Sequence, residues 1–128
     1  MAEIKWESFA KTSPDREYLA LISYLSLKRF WMIPKFLVYM RVIQNQLRKS
    51  RGLIGYSLLA HFLHRRFWTL SVWEDEKALM EFVRNLPHSQ VMLALAPHMN
   101  KTKFVQWRIR GSAVPVTWEE GFRQLQTS

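Results

Sequence analysis

The chain has 128 residues, enough for one ordinary domain and too few for two full cores. Hydrophobic residues make up 48% and charged residues 23%, the composition of a globular protein rather than a disordered one. Cysteine is absent, which excludes a disulfide scaffold, a cysteine-ligated metal, an iron–sulfur cluster and a thiol nucleophile. The formal charge of +9, from 19 Lys and Arg against 10 Asp and Glu, raises nucleic acid, an anionic membrane or an anionic small molecule as partners.

Residues 1–16 show no clear period and read as an N-terminal arm, leaving 17–128 as a single domain. The opening residues lack a basic region followed by an apolar run, so no signal peptide is expected. Residues 30–43 are the most apolar helical stretch, but Lys35 and Arg41 interrupt it; it is too short and too charged to span a bilayer. A cytoplasmic location is the expectation. Residues 17–28 alternate with a period of two and predict a strand. Ile33, Phe36, Leu37, Met40, Ile43 and Leu47 then recur at three and four, with Pro34 in the first turn and Gly52 beyond the end: an amphipathic helix. Residues 53–62 and 65–73 predict a hairpin turning at His64. Ala78, Leu79, Phe82, Val83 and Leu86 give a second helix, interrupted at Pro87 and continued by Val91, Met92, Leu95 and Met99. Residues 103–110 alternate again, and Thr117-Trp118-Glu119-Glu120 is a capping box that opens a last helix.

The order β-α-β-β-α-β plus a C-terminal helix predicts an α+β, ferredoxin-like four-stranded antiparallel sheet with helices on one face. Trp68, Leu70 and Val72 form the purely apolar set of their strand and are expected under the helices, with Trp68 and Trp107 in the core. The other face then carries Phe67, Ser71 and Trp73, with Phe104, Gln106, Arg108 and Arg110, and Gly55, Ser57, Leu59, His61, Tyr24 and Ser26. This mixture is too apolar for water and too polar for a dry core, so a second copy of the chain is expected to close over it and leave a lined cavity.

The pattern Ser71-Val72-Trp73-Glu74, Ala78-Leu79, Phe82-Val83 and His88, then Trp107 and Pro115-Val116-Thr117-Trp118-Glu119-Glu120, resembles a domain family of unassigned activity. That family is related to the antibiotic biosynthesis monooxygenase group of the dimeric α+β barrel superfamily. The match covers roughly residues 67–125. The resemblance implies a homodimer with a pocket in each protomer. It also implies relatives that include cofactor-independent oxygenases of polycyclic aromatics, haem-degrading and haem-dependent enzymes, and isomerases. The haem-degrading branch carries an Asn on the first strand, a Trp on the second helix and a His after it. This sequence has Ser23 or Ser26, Phe82 and His88 there, and departs from that set at two of three positions.

His88 is the candidate catalytic base, because imidazole titrates near neutrality; the competing reading is a histidine that hydrogen-bonds across the helix break. Arg108 is the candidate clamp for a carboxylate or phenolate, against a solvated strand arginine. Trp73 and Phe67 could stack on a flat ligand, against simple packing; Ser71, Tyr24 and His61 are further binding candidates. His61 and His64 are expected on opposite faces, and no metal site is predicted. The leading functional reading is a small-molecule barrel protein, a monooxygenase-like oxidoreductase acting on an apolar, aromatic or anionic substrate without a cofactor. The alternatives are a non-catalytic haem- or ligand-binding protein and a basic RNA-binding domain. The RNA reading is the weaker, since residues 65–72 lack the small residues of an RNA-stacking strand. Peripheral membrane contact through Phe30-Trp31-Met32-Ile33 and the neighbouring Lys28, Arg29 and Lys35 is a third possibility.

Overall fold

A computed structural model describes residues 2–85 and 88–128 of the chain. In chain order the main elements are β1 (Ala2–Ser8), β2 (Glu17–Leu27), α1 (Ile33–Lys49), β3 (Leu53–His61), β4 (Arg66–Trp73), α2 (Glu76–Arg84), α3 (His88–Leu95), β5 (Met99–Arg110) and α4 (Trp118–Thr127). The helix ends follow the local chemistry. Asp75 caps α2 by accepting a hydrogen bond from the Ala78 N–H at 2.8 Å, and the Thr117 hydroxyl accepts from the Glu120 N–H at 3.2 Å. Arg48 and Lys49 occupy the last turn of α1, where the helix dipole favours cations. Gly52, at φ +80°, turns the chain from α1 into β3. The Pro87 break lies outside the described residues; α2 ends at Arg84 and α3 begins at His88.

All strand pairs are antiparallel and the order across the sheet is β1-β3-β4-β2-β5. Strands β2–β5 with α1–α3 form the α+β ferredoxin-like unit. The sheet has five strands rather than four, because residues 2–8 of the expected arm pair along β3 as an edge strand. A register shift between Ile4 and Glu7 breaks the period of two. Ala2 and Ile4 therefore line the space beneath α1, while Trp6 lies over Gly55. That change of phase is why alternation did not reveal the strand.

The faces are also reversed relative to expectation. Phe67 and Trp73 pack with Phe36, Leu79, Phe82 and Val91 beneath α1–α3. Leu70 and Val72 pack with Ile22, Val105 and Val116 on the other side, where the half-buried Trp68 and Trp107 join Trp118 and Phe122 of α4. The pairings Leu21↔Ser71 and Tyr56↔Ser71 put the odd residues of β2 and the even residues of β3 on the face of α1–α3. Tyr24, Ser26, Gly55, Ser57, Leu59 and His61 are consequently on the α4 face, away from Phe67, Ser71 and Trp73. On the α1–α3 face the buried polar groups of Ser71 and Trp73 satisfy each other: the Trp73 Nε1–H donates to Ser71 Oγ at 3.0 Å. Helices thus lie on both faces, and the open sheet surface invoked for dimer closure and for RNA stacking is covered within one chain. No helix among the described residues is long and apolar enough to cross a membrane.

Candidate functional site

Between α1–α3 and the sheet lies a cavity of about 690 Å³. Its floor comes from Leu21, Ser23 and Leu25 of β2, Leu58 of β3, Phe67, Ser71 and Trp73 of β4, and Phe104 and Gln106 of β5. Its roof comes from Phe36, Met40 and Gln44 of α1, Phe82 of α2, and His88 and Met92 of α3. Ile4, Leu37 and Phe104 line it and are also exposed, so it reaches the surface. Pockets of this size, mostly apolar with a few convergent polar groups, suit a small organic molecule.

His88 stands where α3 begins, and its geometry is specific. Its Nδ1 is 3.1 Å from the Val83 carbonyl oxygen. A carbonyl only accepts, so Nδ1 carries the hydrogen and Nε2 of the neutral ring keeps a lone pair. Desolvation lowers the His88 pKa from its ordinary value, opposed by the hydrogen bond to Val83. The neutral, base-competent form is therefore favoured near neutrality. The ring packs 4.9 Å from that of Phe82, which lies 5.2 Å from that of Trp73, so an aromatic row runs along the cavity wall. Gln46 of α1 fixes this corner: its Oε1 accepts the His88 backbone N–H at 2.8 Å and its Nε2 donates to the Phe82 carbonyl at 2.9 Å.

Four of the seven sequence candidates, His88, Trp73, Ser71 and Phe67, come together in this cavity. Three do not. Arg108 is exposed on the edge strand β5 and is not part of the lining. Tyr24 faces the other way, its ring 5.6 Å from Trp68. His61 also faces the other way. The turn at Phe62–His64 folds His64 back so that the two imidazoles meet at 4.5 Å, tilted by 42°, rather than lying on opposite sides. Even so, no group of three or more His, Asp or Glu suited to a metal occurs among the described residues. Spacing alone missed Ser23, Arg41, Gln44 and Gln46, while it put Gln106 on the cavity face without marking it as a site residue. Arg41 and Gln44 flank the apolar stripe of α1 at helical spacing, a signal that marks them as roof-edge residues only once the roof is known.

The fold is α+β and ferredoxin-like, and it is shared by solved structures of antibiotic biosynthesis monooxygenases. Solved structures that share it include SnoaB, a cofactor-independent oxygenase from Streptomyces nogalater, at a TM-score of 0.63 and 11% identity, covering 74% of this chain and 95% of that one. An antibiotic biosynthesis monooxygenase matches at a TM-score of 0.63 and 18% identity, over 70% of this chain and 95% of that one. A conserved protein from Methanosarcina mazei Go1 matches at 0.63 and 14%, over 70% and 90%. No protein-family model matches the chain, and no curated protein matches it in sequence.

Proposed function

We propose that the cavity beneath α1–α3 binds a small, flat, apolar molecule with an acidic C–H or O–H, and that the protein oxidises it with dioxygen, needing no cofactor. His88 acts as the base. The observation that carries this reading is a half-buried, neutral-favoured imidazole on the wall of an otherwise apolar cavity. The likeness in fold to SnoaB, itself a cofactor-independent oxygenase, supports it. The substrate proton passes to Nε2 of His88, and the resulting anion gives one electron to dioxygen. The two radicals combine at carbon to a peroxide anion, which takes the proton back from His88; the hydroperoxide so formed loses water, with the remaining hydrogen of that carbon, to leave a carbonyl. Arg41, on the cavity lining, is better placed than Arg108 to attract an anionic substrate edge.

Dioxygen uptake with a panel of anthrones and hydroquinones tests the reading. His88→Gln should lower turnover about 100-fold or more while ligand binding persists; unchanged uptake in that variant would remove His88 from the chemistry. The homodimer that the resemblance implies belongs to the same proposal. Sedimentation over a range of concentrations checks it, with a persistent monomer as the contrary result.

A further inference from the structure

We propose that the end of the domain built from residues 28–32, 62–66 and 96–101 docks on a membrane surface containing acidic phospholipid. Hydrogen bonds tie these segments together. The Leu27 N–H donates to the Arg65 carbonyl at 3.0 Å, Arg65 Nε donates to the Leu27 carbonyl at 3.0 Å, and the Lys28 N–H donates to the His98 carbonyl at 2.9 Å. On this scaffold three large apolar side chains are held out in solvent: Phe30 is 54% exposed, Trp31 65% and Leu63 79%. Phe30 and Trp31 are braced from the side. The Arg65 guanidinium lies 4.5 Å from the centre of the Phe30 ring, and His98 meets Trp31 edge-on at 5.5 Å.

The charge around them has one sign. Lys28, Arg29, Lys35, Arg66 and Lys101 are exposed, and among the described residues none of them forms an ion pair. All three segments lie within stretches, 18–73 and 82–118, that contain no Asp or Glu. Behind the apolar tip is a cleft of about 220 Å³ whose lining includes Ser26, His64, Arg66, Asn100 and Lys101, polar and basic groups suited to a lipid phosphate. Aromatic residues beside unpaired basic ones are the composition of an interfacial anchor. Leu63, the most exposed of the three, favours an acyl layer over nucleic acid, which offers an aliphatic side chain little to bury against.

Co-sedimentation of the full chain with vesicles of phosphatidylcholine, with and without phosphatidylserine, tests this independently of the cavity. Binding is expected only with phosphatidylserine and should weaken as salt rises. Lys28→Gln with Arg29→Gln should reduce it about fivefold per charge removed. Trp31→Ser and Leu63→Ser, both at exposed positions and verifiable as folded by circular dichroism, should each reduce it as well. Lys49→Gln with Arg51→Gln removes the same charge at the opposite end of β3 and should leave binding unchanged. Three results would overturn the proposal: equal loss in that control pair, undiminished binding by the Trp31 and Leu63 variants, or tip-dependent binding of an RNA oligonucleotide in place of vesicles.

Discussion

The two faces of the sheet are covered by helices in different ways. Under α4 the packing is close: Leu70, Val72, Ala20 and Ile22 have no exposure, and a Cβ on Gly121 would come within 2.9 Å of Ile22 Cδ1. Under α1–α3 the helices bridge over the sheet and leave about 690 Å³ between them. Both faces have apolar residues, so hydrophobicity does not distinguish them. The difference is what the helices meet. A glycine in α4 allows close approach, whereas on the other face Phe67, Trp73 and Phe36 pack beside a gap. Both faces bury apolar side chains completely, and among the described residues only the α1–α3 face also encloses a cavity.

The largest expected effect that probes this contrast is Leu70→Ala, which should cost about 3 kcal/mol by opening a void on the close-packed side. Met40→Ala, which enlarges a space already present, should cost only about 1 kcal/mol; chemical denaturation compares the pair. Adding volume should show the reverse asymmetry. Gly121→Val is expected to cost about 2 kcal/mol, since Ile22 must shift. Ser23→Leu, which projects into the cavity, should leave stability within about 0.5 kcal/mol while abolishing ligand binding. Equal costs for Gly121→Val and Ser23→Leu would mean that the two faces do not differ.

The smallest expected effect is a pH dependence. The His88 pKa is lowered in the folded protein, so as pH falls through the unfolded value near ~6.5 the unfolded chain takes up this proton first. Stability from this group is full above that pH and declines below it. His88→Gln should remove that part of the decline, measured as the midpoint of thermal unfolding from neutral to mildly acidic pH. Gln46→Leu, which frees the backbone of His88, should leave the fold in place and shift the pH profile of turnover more than KM.

Much of the fold was legible in the sequence. The strands at 17–28, 53–62 and 65–73, the three-and-four repeat of α1, and the Asp75 and Thr117 caps are local signals, and locally they decide the structure. What stayed hidden was relational. Alternation tells which residues of one strand share a face, but not which phase pairs with which across strands. Ser71 therefore sat correctly with Phe67 and Trp73, but incorrectly with Tyr24 and His61. The bulge between Ile4 and Glu7 hid β1 for the same reason. The site followed suit. Residues contiguous with the β4–α2 motif, up to His88, converge on the cavity. Arg108 carries the right chemistry at an edge position, and Gln46 became visible only through its two contacts with Phe82 and His88.

Titration with a flat phenolic probe that does not turn over, 1,8-dihydroxyanthraquinone, tests most directly whether the cavity beneath α1–α3 is the ligand site. The wild type should bind one molecule per chain, saturably, and Ser23→Leu should lose that binding at an unchanged unfolding midpoint. Undiminished binding by a folded Ser23→Leu protein would place the ligand elsewhere and contradict the account.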